Sequence, residues 1–131
     1  MATVPGTVVK DLDRSLLQAQ AEDPGARGNV QSIDASGAQV IDRYKSDILL
    51  NHATKITATI ADASYNPGLV HFKQTSSGTA GHTVTIAIGS FDGTNNTATF
   101  NAVGETLLVY FDQFGNGKIV ENIGSVGLSA V

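Results

Sequence analysis

The stretch that decides the fold is Gly81-His-Thr-Val-Thr-Ile-Ala-Ile-Gly89, continued by Ser90-Phe-Asp-Gly-Thr-Asn-Asn96, Thr97-Ala-Thr-Phe100, Asn101-Ala-Val-Gly104, Glu105-Thr-Leu-Leu-Val-Tyr-Phe-Asp112, Gln113-Phe-Gly-Asn-Gly117, and Lys118-Ile-Val-Glu-Asn-Ile-Gly-Ser-Val-Gly-Leu-Ser129. Apolar runs of strand length alternate with Asp-Gly, Asn-Gly and lone Gly, the pattern of a β-meander. In its first strand Val84, Ile86 and Ile88 are expected to face inward, and Thr83, Thr85 and Ala87 outward.

Upstream, the same reading gives strands over Asp47–His52, Thr54–Ala61 and Gly68–Gln74, a loop at Asp62–Gly68 with a turn at Asn66-Pro67-Gly68, and a brief strand at Gln39–Asp42. About seven short strands with turns every 8–12 residues predict an all-β, antiparallel β-sandwich or barrel-like body of jelly-roll or β-tulip type. It spans residues 46–131, behind an N-terminal arm over residues 1–45, extended and in part helical. The helix is expected at about 10–22, with Leu12 and Leu16 on one stripe, Leu17 beside it, acids in the first turn and Asp23-Pro24-Gly25 as the stop. Ala26–Ala38 reads as connecting chain with one short extended piece.

Composition narrows the function classes. The 131 residues suit one domain that can bury a core, and the absence of Cys excludes disulfides and thiolate metal sites. A net charge of −4 gives a nucleic-acid partner little electrostatic support. No apolar run reaches the ~18 residues of a membrane span, and no secretion signal is expected in Met1–Gly6. Charged residues are only 15% of the chain, and residues 1–45 hold eleven of the twenty. A body so poor in charge fits a surface covered by other subunits, since interface cores lose charge first; a Thr- and Asn-rich solvated β surface fits as well.

Chemistry is poorly marked. His52, His71 and His82 fall in or beside predicted strands with no metal-ligand spacing, and are expected to be structural or surface groups. Asp92, Asn95 and Asn96 suggest a calcium loop, but the closing Glu is missing, so turn chemistry is expected. No Gly-x-Ser-x-Gly elbow and no phosphate loop occur, and no two of Asp47, Asp62, Asp92, Glu105, Asp112 and Glu121 are marked as an acid–nucleophile pair. Glu121, inside an apolar strand, is expected to point to solvent. Tyr65 and Phe114 are the aromatics that predicted loops leave exposed. The chain is therefore read as no enzyme, with no cofactor and no metal.

The strings Gly81-His-Thr-Val-Thr85, Phe91-Asp-Gly-Thr-Asn95, Ala98-Thr-Phe-Asn-Ala-Val-Gly-Glu105, Leu108-Val-Tyr110 and Ile119-Val-Glu-Asn-Ile-Gly-Ser-Val-Gly-Leu-Ser129 resemble modules of tailed-bacteriophage virion proteins, as do Asn51-His-Ala53 and His71-Phe-Lys-Gln-Thr-Ser76. The likeness covers roughly Ile48–Ser129. Such modules occur in capsid decoration (cement) proteins and in fibre proteins. The resemblance implies a viral structural protein made in the host cytoplasm and carried on the virion's capsid surface. Its partners would be the major capsid protein and further copies of itself, in a homotrimer or similar oligomer, with no nucleic acid and no membrane. The capsid-binding arm would use Leu12, Arg14, Leu16, Leu17 and Arg27, and the oligomer interface Tyr65, Phe114, Ile123, Val126 and Leu128. The alternative implied is a tail-fibre or head-fibre module that binds a carbohydrate receptor on the host.

Overall fold

The computed structural model describes residues 29–76 and 81–131. The expected helix at 10–22 and the arm residues Leu12, Arg14, Leu16, Leu17 and Arg27 lie outside the described residues. Within them the chain forms ten strands: β1 Val30–Ile33, β2 Gly37–Val40, β3 Asp47–Leu50, β4 Ile56–Asp62, β5 Gly68–Gln74, β6 His82–Ile88, β7 Thr97–Phe100, β8 Thr106–Phe111, β9 Gly117–Ile123 and β10 Gly127–Ser129. They build two five-stranded sheets, β1-β3-β5-β8-β9 (sheet A) and β10-β7-β6-β4-β2 (sheet B).

The body is all-β as expected, but its sheets are mixed. From β1 to β6 the chain alternates between the two sheets, so β1, β3 and β5 lie parallel in sheet A, and β2, β4 and β6 parallel in sheet B. Each sheet supplies the crossover of the other, which is how parallel neighbours arise without a helix. The links are short enough to mimic hairpin turns. Only Asp34–Ser36 separate β1 from β2. Three extended residues reach about 10 Å, the gap between facing sheets.

Beyond β6 the pairing becomes antiparallel. The β6–β7 hairpin sits in sheet B and the β8–β9 hairpin in sheet A, while β10 returns to β7. The stretch Gly81–Ser129 is therefore not a meander: residues 101–105 carry the chain from one sheet to the other. Residues 30–40, read as part of the arm, form β1 and β2, the edge strands of the two sheets.

The core lies between the sheets. Sheet A contributes Ile48, Leu50, Val70, Phe72, Leu107, Val109 and Phe111, and sheet B Ile56, Ala58, Ile60, Val84, Ile86, Ala98 and Phe100, all buried. This is the period-2 alternation the sequence displays. Phe91 enters from the β6–β7 connection and meets Phe72 edge-on at 5.9 Å between centroids and Phe111 tilted at 6.2 Å. Ile88, expected inward, is 61% exposed. It is the last residue of β6, and at that end the buried loop residues Ala63 and Phe91 close the core in its place.

The outer face of sheet B has an unusual composition. In register across its five strands run two rows, Ala38–Thr57–Thr83–Thr99–Gly127 and Val40–Thr59–Thr85–Thr97–Ser129. Six threonines sit side by side, with Thr85 and Thr97 hydroxyls 3.3 Å apart. Neither row holds a charge. Sheet A's outer face is a mosaic instead, where Asp47, His71, Leu108 and Glu121 share one row and Leu69, Tyr110 and Lys118 another.

Candidate functional site

Strand direction sends loops 41–46, 63–67, 89–96 and 112–116 to the same end of the sandwich. Each begins near an aspartate that folds its own turn. Oδ1 of Asp42 accepts the Tyr44 amide (2.9 Å), that of Asp62 the Ser64 amide (2.9 Å), that of Asp92 the Thr94 amide (3.0 Å) and that of Asp112 the Phe114 amide (2.8 Å). A short carboxylate capping the amide two residues on is the usual turn chemistry of Asp. At Asp92 it extends to the Asn95 amide and side chain. These bonds, led by the Ser64 hydroxyl at Asp62 and the Asn95 amide at Asp92, hold both carboxyls below the usual carboxylate range.

The loops are locked by backbone packing. Ser90 donates to Gly115 O (3.0 Å), and Gly117 donates to Ser90 O (2.8 Å). A Cβ on Gly117 would meet the carbonyls of Ser90 and Phe91, so only glycine fits there.

Between loops 41–46 and 63–67 lies a pocket of ≈ 330 Å³ lined by Ile41, Asp42, Arg43, Tyr44, Ala61, Asp62 and Tyr65. Tyr44 and Tyr65 stand edge-to-face with centroids 5.3 Å apart, and their hydroxyls hydrogen-bond each other. That bond, with Asp42 nearby, raises the Tyr65 phenol above its usual range. Both rings remain more than half exposed. Arg43 is buried beneath them, its Nη2 donating to Asn66 O (2.9 Å) and Ala63 O (3.4 Å) and its guanidinium carbon 5.0 Å from the centre of the Phe111 ring. Its Nε has no hydrogen-bond partner among the described residues. Asn66 answers by donating to Arg43 O (2.8 Å), which ties the two loops together. Burial lowers the Arg43 pKa, and Asp62 opposes the shift.

The residues expected at an interface do not form one patch. Tyr65 and Phe114 are exposed on this loop pole, whereas Ile123, 51% exposed, ends β9 at the opposite pole. Val126 is only 4% exposed and Leu128 packs against the core, so the chain's own fold occupies both. The histidines are dispersed. His71 lies on the outer face of sheet A, its Nδ1 3.4 Å from Asp47; His52 is in loop 51–55; His82 is fully buried. Glu121 is exposed. Among the described residues no three His, Asp or Glu are grouped to hold a metal ion.

Sequence reading found Tyr65 but missed Arg43 and Tyr44, which it assigned to the arm. The signal was present as an aspartate followed by an aromatic in Asp42-Arg-Tyr44, Asp62-Ala-Ser-Tyr65 and Asp112-Gln-Phe114. Comparison with protein-family models and with curated proteins finds no match for this chain.

Proposed function

We propose that this chain is a non-catalytic decoration protein of a tailed-bacteriophage head, which binds the outer surface of the major capsid protein lattice as a homo-oligomer, most simply a trimer, and stabilises it. The likeness of its strand and turn strings to phage virion modules supports this class. The observation that carries the contact reading is the outer face of sheet B, where ten in-register positions across five strands hold no charge. Docking this face desolvates hydroxyls and methyls and no ions, so it avoids the largest cost of burying a polar surface. Residues 1–28 would add a second point of attachment and hence avidity.

The test is co-sedimentation with empty heads, with the mass of the isolated chain measured in solution. Thr57→Lys and Thr83→Lys place like charges opposite each other at outward-facing positions. They are expected to leave the fold intact and to abolish oligomer formation or head binding. Full occupancy by the double variant would overturn the proposal. A fibre module that binds a carbohydrate receptor is the second reading, and the exposed tyrosine pair over a pocket favours it.

A further inference from the structure

We propose that the pocket between loops 41–46 and 63–67 binds one neutral hexose unit of a glycan. This deepens the second reading of function but rests on the pocket alone, which is formed within a single chain.

Size comes first. At ≈ 330 Å³ the pocket is at the small end of the range for ligand sites, which suits one pyranose ring and not an extended peptide. Shape and polarity come next. A pyranose has an apolar C–H face and a rim of hydroxyls. Ile41 and Ala61 supply apolar lining, and Tyr44 and Tyr65 supply aromatic faces that are largely uncovered in the free chain. The two rings brace each other through their hydroxyls, so little side-chain freedom is lost on binding.

The hydroxyl rim would meet Asp42 and Asp62. In each, Oδ1 is held by the protein's own turn. That leaves Oδ2 turned to neither turn amide and able to accept a sugar hydroxyl. Charge then selects among ligand classes. Arg43, only 6% exposed, is fixed by two backbone carbonyls beside Asp62 and offsets part of its charge. A cation would find the charge of Asp62 offset in part by the nearby Arg43 guanidinium, and an anion would face Asp42. A neutral polyhydroxylated ligand carries neither penalty.

The experiment is an amide NMR titration of the ¹⁵N-labelled full chain with D-glucose, D-galactose, D-mannose and N-acetyl-D-glucosamine. Each is taken to about 100 mM, where a one-ring ligand with few contacts approaches saturation. Choline chloride and sodium acetate serve as the cationic and anionic probes. The expected result is a saturable shift confined to residues 41–45 and 61–66 with at least one sugar, weakened about tenfold or more in Tyr65→Ala and in Asp42→Asn. Tyr65 is half exposed, and in Asp42→Asn the new side-chain amide oxygen can still cap the turn, so both variants should fold, and an unchanged spectrum elsewhere checks this. No saturable shift with any sugar overturns the proposal. So does a response to choline or acetate alone, or sugar shifts that survive Tyr65→Ala. No heads are present in the titration, so it succeeds or fails independently of the lattice contact.

Discussion

Acidification should destabilise this protein in the pH range of histidine titration, and His82 is the group responsible. It is the first residue of β6, with its ring fully buried between the sheets. Nδ1 accepts the Ile56 amide at 2.9 Å, so the neutral ring must carry its proton on Nε2. Burial pushes its pKa below the usual histidine value of 6.5; the backbone carbonyl of His52 opposes the shift and the His52 ring adds to it. Protonating Nδ1 would set N–H against N–H across the β4–β6 contact and leave a charge in the core. Above pH 6.5 folded and unfolded chains are both neutral at this site. Below it the unfolded chain takes up a proton that the folded chain refuses. Stability is therefore present at high pH and lost as pH falls toward the depressed folded value, with a limiting slope of about 1.4 kcal/mol per pH unit. Between pH 7.5 and 5.5 the loss has a ceiling of roughly 1.4 kcal/mol. Asp34, Asp62 and Asp92 are all lowered from 3.8, so their stabilisation persists above that value and fades only as pH falls below it, outside this window. Urea unfolding at the two pH values, followed by circular dichroism, measures the loss. His82→Asn keeps an acceptor near the Ile56 amide and cannot titrate; it should be less stable at every pH but with the slope reduced. An identical slope in wild type and variant, or wild-type stability that rises on acidification, refutes the reasoning.

Four further substitutions separate the forces at the loop pole and in the core. Gly117→Ala introduces a methyl 2.6 Å from the Ser90 carbonyl oxygen and should cost ~3 kcal/mol, whereas Gly93→Ala, with φ +92° and open space, should cost only the left-handed strain of about 1–2 kcal/mol. Equal thermal shifts in the two would show that backbone packing does not hold the pole. Phe91→Ala removes a fully buried ring from between Phe72 and Phe111 and should cost ~3–5 kcal/mol by chemical denaturation; a cost below about 1 kcal/mol would mean that the pole repacks freely. Arg43→Met deletes the donor to Ala63 O and Asn66 O. About 2 kcal/mol of lost stability is expected, with faster amide exchange across loop 63–67; unchanged exchange there would mean that Arg43 does not anchor the loop.

The strands were legible because alternation is local. β5 Gly68–Gln74, β6 His82–Ile88 and β7 Thr97–Phe100 fall where side chains alternate between apolar and polar, and the dipeptides between them mark turns. Partners were not legible, because pairing is a relation between distant segments. A turn signal says that the chain bends; it does not say whether it bends back within a sheet or arches to the facing one. Asp34–Ser36 and Asp92-Gly93 are both good turns, yet the first changes sheet and the second stays within it. Two inner-face polar residues were also hidden in the alternation: His82 and Gln74 occupy strand positions where the pattern demands an apolar side chain, and both are fully buried.

The same non-local pairing explains why half of the pocket escaped notice. β2 lies parallel to β4 and β3 to β5, so the turn joining β2 to β3 stacks directly on the turn joining β4 to β5. Ile41 donates its amide to Thr59 O at 2.9 Å and continues that register past the end of β2. That register sets Asp42 beside Ala61, one residue short of Asp62, while Tyr44 and Tyr65 meet edge-to-face, so what reads along the chain as two unrelated turns becomes in space a pair of carboxylates and a pair of rings. The third coil breaks the series. Its turn stays within sheet B as a hairpin, and the positions two and three residues beyond Asp92 are Thr94 and Asn95, neither of them aromatic. The tyrosine pair thus ends at two members because parallel coiling ends there. The pocket's composition follows from topology as much as from any residue in it, and inserting one residue into loop 41–46 should disperse the pair while leaving both sheets folded.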